Sequence, residues 1–146
     1  MNKFILSSIL LFALLFTACN DDEAEDHMHS DETEYSISIN SPSTDDKKVN
    51  DDIHIHTVFE SGTSATIHHV NIRVYNVDTN EEIYNAPADA HVHEESGMYE
   101  IHDDISLTNA NGVEGHTDWI LEAKAWAHED GIGEVVESIQ FHVHPE

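Results

Sequence analysis

Histidines separated by a single residue recur along this chain of 146 residues. The pairs are His27/His29, His54/His56, His91/His93 and His142/His144, drawn from 13 histidines in all. Neutral imidazole binds zinc, copper and nickel, and two histidines at positions i and i+2 of a β-strand lie on one face. Such a pair can hold one ion, and a ligand from a neighbouring strand would complete a tight site. The alternative is a solvated, acidic, histidine-rich surface that binds metal only weakly.

Alternation of apolar and polar residues begins at Tyr35 and recurs to the end of the chain. It marks residues 35–39, 53–59, 69–77, 98–107, 119–128 and 137–144. Turn signals rich in Gly, Asn, Asp and Ser separate these segments, and a period of two is typical of half-buried antiparallel strands. The pattern predicts an all-β fold, an antiparallel β-sandwich of the immunoglobulin-like, Greek-key kind. A helix is an alternative only for residues 120–127.

The N-terminal segment has the form of a bacterial export signal. Lys3 precedes an apolar run over residues 4–16, which is too short to serve as a membrane-spanning helix of the mature protein. The sequence FTAC at 16–19 resembles the lipobox of bacterial lipoproteins, which implies that residues 1–18 are removed and that Cys19 becomes a lipidated N-terminus. Lipid on one residue anchors a protein without spanning the bilayer. The alternative is an ordinary secreted protein with a stray cysteine.

Residues 19–34 are polar and strongly acidic, and they include His27 and His29. Because they contain too few apolar side chains to bury a core, we predict a tether that captures metal at most loosely. An acidic run directly after the cysteine resembles the surface-export signal of lipoproteins in the Bacteroidota, which implies a domain that faces outward from the outer membrane. Residues 35–146 form the folded domain in this interpretation.

The last hairpin carries a second resemblance. Residues 115–143, GHTDWILEAKAWAHEDGIGEVVESIQFHV, are similar to the final hairpin of bacterial Ig-like and cadherin-like modules, where a strand that starts with an aromatic residue ends in Asp-x-x-Gly. Together with the lipobox, the chain resembles small Ig-like surface lipoproteins of the Bacteroidota. The resemblance implies one sheet with the strand order A-B-E-D and a second with the order C-F-G.

Alternation also predicts which histidines face solvent. If Ile53, Ile55 and Phe59 enter the core, His54 and His56 point outward, because adjacent side chains on a strand leave opposite faces. The same argument turns His102, His142 and His144 outward. Most of the histidines are therefore predicted to be surface residues and not part of the core.

The Ig-like strand order predicts neighbours for these histidines. With residues 90–93 as strand D and 98–107 as strand E, His91 lies diagonal to His102, about 7–8 Å between backbones, and within reach of a shared ion. Strand B, residues 53–59, lies on the other flank of strand E and carries His54 and His56. The five histidines predicted to share one outer face as metal ligands are His54, His56, His91, His93 and His102.

The second sheet offers a weaker arrangement. The predicted hairpin sets His128 opposite Val136, so that His128 and His142 lie roughly 20 Å apart at about 3.4 Å per residue. These two histidines cannot share an ion. His68 or His69, at the start of strand C, could approach His128 instead.

Composition narrows the possible partners. Thirty acidic residues against five basic ones give a formal charge of −25, which attracts cations and repels nucleic acid, so we exclude a nucleic-acid partner. Cys19 is the only cysteine, so that neither an intramolecular disulfide nor a thiolate metal cluster can form. The carboxylates around the histidines are expected to raise the histidine pKa values by favouring the charged form.

No hydrolase, metalloprotease, P-loop or dinucleotide motif occurs in the sequence. The acidic pairs at 45–46 and 103–104 and the loop at 107–115 make calcium a further candidate, but a weaker one than zinc, because that loop lacks the acid spacing of an EF-hand. We predict a non-enzymatic lipoprotein that binds a transition metal, zinc before copper, for capture or for delivery to an outer-membrane protein complex. The alternative is an accessory or adhesive module that docks on such a complex without metal.

Overall fold

The computed structural model describes residues 34–62, 64–128 and 133–146. The predicted signal peptide, Cys19 and the tether up to residue 33 lie outside the described residues, as do the histidines of the tether. Within the described ranges, no helix is long and apolar enough to cross a membrane.

The described residues fold into two β-sheets. The strands are β1 Tyr35–Ser41, β2 Lys47–Lys48, β3 Asp52–Ser61, β4 Ile67–Asn76, β5 Glu82–Ala86, β6 His91–Glu94, β7 Met98–Ser106, β8 Thr117–Trp126 and β9 Val135–His144. One sheet has the order β1-β3-β7 and the other the order β2-β9-β8-β4-β5, with β6 also paired to β4. A 3-10 turn at Asn109–Asn111 precedes β8. The predicted all-β, Ig-like sandwich is confirmed.

The core lies between the two sheets and follows the alternation of the sequence. In β3, Ile55 and Phe59 are fully buried, whereas His54 lies on the outer face of the sheet and is exposed to solvent. Trp119 of β8 and Phe141 of β9 are buried from the opposite sheet. Burial of each such side chain contributes roughly 1.5–3 kcal/mol, and this burial fixes which residues of each strand must face outward.

Strand β6 does not pair as the Ig-like order predicts. It lies beside β4, with His91 opposite His69 and Glu94 opposite Ile67, and makes no ladder with β7. β5 pairs with β4 only from residue 72 onward, so the first residues of β4 keep open backbone groups that β6 satisfies. The predicted face of five histidines is therefore wrong: His91 and His93 lie in the sheet opposite the other three.

The predicted register of the last hairpin is also wrong. Val136 lies opposite Lys124 and not opposite His128, and the same ladder places Asp118 opposite His142. Because the displacement is an even number of residues, each side chain keeps its predicted face. The neighbours across the ladder are nevertheless different along the whole hairpin.

Candidate metal centre

All eleven histidines of the described ranges, thirteen in the chain less the two of the tether, lie in three clusters. Each has the ring centroid of another histidine within 6.2 Å. The β3–β7 cluster contains His54, His56 and His102. The β4–β6 cluster contains His68, His69, His91, His93 and His128. The β8–β9 cluster contains His116, His142 and His144.

Antiparallel register builds the β3–β7 cluster. His56 lies directly opposite His102, and His54 lies opposite Asp104. The rings of His56 and His102 stack, with centroids 4.1 Å apart and planes inclined by 20°. His54 contacts Asp104 through Nδ1 and Oδ1 at 2.8 Å. The predicted proximity of these three histidines thus follows from pairing of β3 with β7.

Glu100, two residues before His102 on the same face of β7, completes a group of possible ligands. His102 Nε2 donates a hydrogen bond to Glu100 Oε2 at 3.0 Å. His56 Nε2 lies 3.6 Å from the same oxygen. The ligand atoms of these three residues all lie within 4.8 Å of one another. Glu100 is one of thirty acidic residues, and its spacing from His102 is the only signal in the sequence that marks it out.

The protonation states at this group suit a cation. Hydrogen bonding from His102 is the main reason that the pKa of the Glu100 carboxyl lies below its usual value, so this group is an anion at neutral pH. His56 Nε2 is shielded from solvent and has no hydrogen-bond partner among the described residues. Two imidazoles and one carboxylate are a ligand set that zinc uses when one position stays open. These groups could hold a metal ion.

A cation at this position would have to displace one proton. His102 Nε2 carries the hydrogen that it donates to Glu100, because an ionised carboxylate can only accept. Coordination through Nε2 therefore releases that proton, which couples metal affinity to pH. Glu100 and His102 also line an open groove, together with Tyr84, Pro87 and Tyr99.

One backbone carbonyl determines the proton positions of two histidines in the β4–β6 cluster. Ala127 O can only accept, so His69 Nδ1, 3.0 Å away, carries the hydrogen. In neutral His69 the other nitrogen, Nε2, is then an acceptor, and His91 Nδ1 donates to it at 3.4 Å. This order leaves the lone pair of His91 Nε2 free. His69 also stacks on Trp126, with centroids 5.2 Å apart.

His68 joins this cluster from the edge of the core. Its ring lies 4.7 Å from that of His128 and 5.2 Å from that of His93, which confirms the predicted approach to His128. Burial is the largest cause that lowers the pKa of His68 below 6.5, and four neighbouring histidines lower it further. The expected rise in pKa is wrong for His68 because burial disfavours its charged form and because its titratable neighbours are histidines and not carboxylates.

The predicted ligands His91 and His93 thus share a cluster with histidines of β4 and not with the β3–β7 group. Among the described residues, two groups bring three ligand atoms within 4.8 Å of one another, and neither lies in the β4–β6 cluster. One is the group of His56, Glu100 and His102. The other is the β8–β9 cluster, whose member His116 the sequence analysis did not single out.

Comparisons with known proteins give structural similarities at low sequence identity. No protein-family model matches the chain, and no curated protein matches it. Among solved structures, the chain is similar to a CARDB domain from Pyrococcus furiosus in complex with di-metal ions, at 13% identity over 79% of this chain and 97% of that domain, with a TM-score of 0.49. The solution structure of that domain is similar at 14% identity over 77% of this chain and 94% of the domain, with a TM-score of 0.47.

A β-glucosidase from Listeria innocua in complex with glucose is also similar, at 11% identity and a TM-score of 0.43. The alignment covers 78% of this chain and 17% of the enzyme, so this chain spans a small part of the enzyme's length. At such identities and TM-scores, we carry neither a ligand nor an activity from these proteins to this chain.

Proposed function

We propose that this protein is a lipoprotein, anchored by lipid at Cys19 in a bacterial outer membrane and facing outward, whose histidine-rich domain binds a transition metal for capture or delivery. Zinc is the favoured ion and copper the second. The observation that carries the metal-binding proposal is the convergence of His56, Glu100 and His102 on the outer face of the β1-β3-β7 sheet. The role is binding and not catalysis.

The state of each ligand supports this proposal. Zinc needs neutral imidazole and ionised carboxylate. His56 offers a solvent-shielded nitrogen, Nε2, that has no hydrogen-bond partner in the described part of the chain and lies 3.6 Å from Glu100 Oε2. An unpaired buried polar atom is costly. A bound cation would pair with this nitrogen, whereas a surface without a bound ion leaves the nitrogen unpaired.

The chemistry of the donors favours zinc or copper over calcium. Calcium takes six to eight oxygen ligands, and magnesium also prefers oxygen. Two of the three converging donors are imidazole nitrogens, which suit zinc, copper and nickel. Asp104 holds His54 beside the group and adds negative charge without entering it. The formal charge of −25 raises the local concentration of any cation near the surface.

Metal analysis of the full-length protein, purified without a histidine tag, tests the proposal. Equilibrium dialysis against zinc and against copper is expected to show binding tighter than about 10 μM. A variant with His56→Gln and His102→Gln should lose one ion per chain. His54→Gln is the matched control, because His54 lies on the same face but outside the converging group.

Binding of neither metal below about 10 μM would reject the proposal. The alternative function, a docking module without metal, predicts a different result. In that case a pull-down from solubilised outer membranes would recover a stoichiometric protein partner, and a chelator would leave its recovery unchanged.

A further inference from the structure

The β8–β9 cluster lies in the sheet opposite the proposed site and has a geometry that the proposed function does not use. Asp118 at the start of β8 pairs with His142 of β9. His116, just before β8, donates a backbone hydrogen bond to Val143 O at 2.7 Å. This bond continues the ladder by one step and brings His116 beside His144.

The three rings meet around one point. Ring centroids are 4.7 Å apart for His142 and His144, 6.3 Å for His116 and His142, and 6.2 Å for His116 and His144. One nitrogen from each ring lies within 4.8 Å of the other two. Three imidazoles at this separation need only small side-chain movements to contact one ion.

Two carboxylates fix the proton positions of two of these rings. Asp118 Oδ1 accepts from His142 Nδ1 at 2.9 Å, which leaves the lone pair on Nε2. Asp46 Oδ2 accepts from His144 Nε2 at 3.0 Å, which leaves the lone pair on Nδ1. A carboxylate behind each histidine is the arrangement that orients imidazole ligands of metal ions and increases their basicity.

The backbone holds the third histidine in place. His116 has a φ of +66°, in the left-handed region that most side chains avoid and that histidine enters more often than most. The preceding Gly115 lies against Pro145, so close that a Cβ atom there would be 2.8 Å from the proline ring. Pro145, near the C-terminus, thus packs directly against the segment that carries His116.

We propose that His116, His142 and His144 form a second, three-histidine site for a divalent transition-metal ion of the zinc class. Three histidines leave one coordination position open to water or to a further ligand. This inference does not rest on the proposed function, because it uses different residues in the other sheet.

The test measures zinc stoichiometry by equilibrium dialysis with the full-length protein. A variant with His142→Gln and His144→Gln is expected to bind one zinc ion fewer than the parent. A variant with His56→Gln and His102→Gln should keep this ion, so that loss of the β3–β7 site and loss of this site are separate results. If the His142→Gln, His144→Gln protein binds as many zinc ions as the parent, the proposal is overturned.

Asp118→Asn provides a second test that keeps the rings and the packing. It is expected to weaken this site about 10- to 100-fold, as changes to carboxylates behind histidine ligands do. Asp104→Asn is the matched control, since Asp104 holds His54 of the other sheet in the same way. Unchanged zinc affinity in Asp118→Asn would overturn the proposal even where the double histidine variant fails to fold.

Discussion

Zinc should stabilise the fold through the β3–β7 cluster, and replacing His56 and His102 together with Gln should remove that effect. At free zinc a hundredfold above its dissociation constant, one site that exists only in the native state contributes about 2.7 kcal/mol. Without metal the cost of the double substitution should be smaller. The two side chains lie on the outer face, 28% and 51% exposed, and a stacked ring pair contributes about 0.5–1.5 kcal/mol at most.

The assay is urea unfolding at pH 7.5, followed by tryptophan fluorescence, since Trp119 is fully buried. Parent and variant are each measured at fixed free zinc and again with chelator. The zinc increment of the variant should be smaller than that of the parent by about 2.7 kcal/mol, while His54→Gln should keep most of it. A variant that zinc stabilises as much as the parent would refute the assignment of these residues as ligands.

Three further predictions concern protons, packing and anchoring. Because the pKa of His68 is lowered from 6.5 in the native state, this histidine binds fewer protons in the native state than in the unfolded chain as the pH falls below 6.5. The free energy of unfolding should therefore decrease as the pH drops from 6.5, and it should decrease less steeply in His68→Gln. Equal slopes for parent and variant in urea titrations would contradict this prediction. Thr57 Oγ1 is buried without a hydrogen-bond partner among the described residues, so Thr57→Val should raise the free energy of unfolding by about 1–3 kcal/mol, and a decrease would show that the hydroxyl is satisfied. Cys19→Ala should leave the domain folded but release it from membranes, and variant protein that still sediments with membranes after a high-salt wash would refute lipidation.

The strands could be predicted because their alternation is local. The segment predicted at 53–59 lies inside β3, and that at 98–107 nearly coincides with β7. A strand with one face on the core repeats its apolar residues every second position, whatever its partner is. β2 has two residues and β5 has no clear alternation, so neither leaves that signal in the sequence.

Which strands are neighbours is not a local property of the sequence, and the wrong predictions concern strand pairing. The predicted proximity of His56 and His102 is correct because the Ig-like resemblance implies that strands B and E are neighbours, and β3 does pair with β7. β6 has four residues, and nothing in so short a segment distinguishes the edge of one sheet from the edge of the other. The choice depends on which backbone groups of β4 remain open, which the three-dimensional structure decides.

His116 shows how one register error conceals a cluster. In the predicted hairpin the residue opposite His144 is Ile120, whereas the observed ladder extends to His116. The loop between the strands sets that register, and its length alone does not reveal where pairing begins. Glu100 was missed for another reason: among so many acidic residues, its role depends on the two histidine nitrogens beside it.

The two ends of the sandwich lie far apart, and each carries its own histidines. The backbone N–H of Gly62 donates to Glu34 O at 2.8 Å, so the chain enters the domain at the end where β4 begins, next to His68. β8 runs antiparallel to β4, and its ten residues separate that end from His116 by roughly 30 Å at about 3.4 Å per residue. If Cys19 is lipidated as proposed, the tether joins the domain at the end that carries the β4–β6 cluster, and the β8–β9 cluster lies at the end away from that attachment.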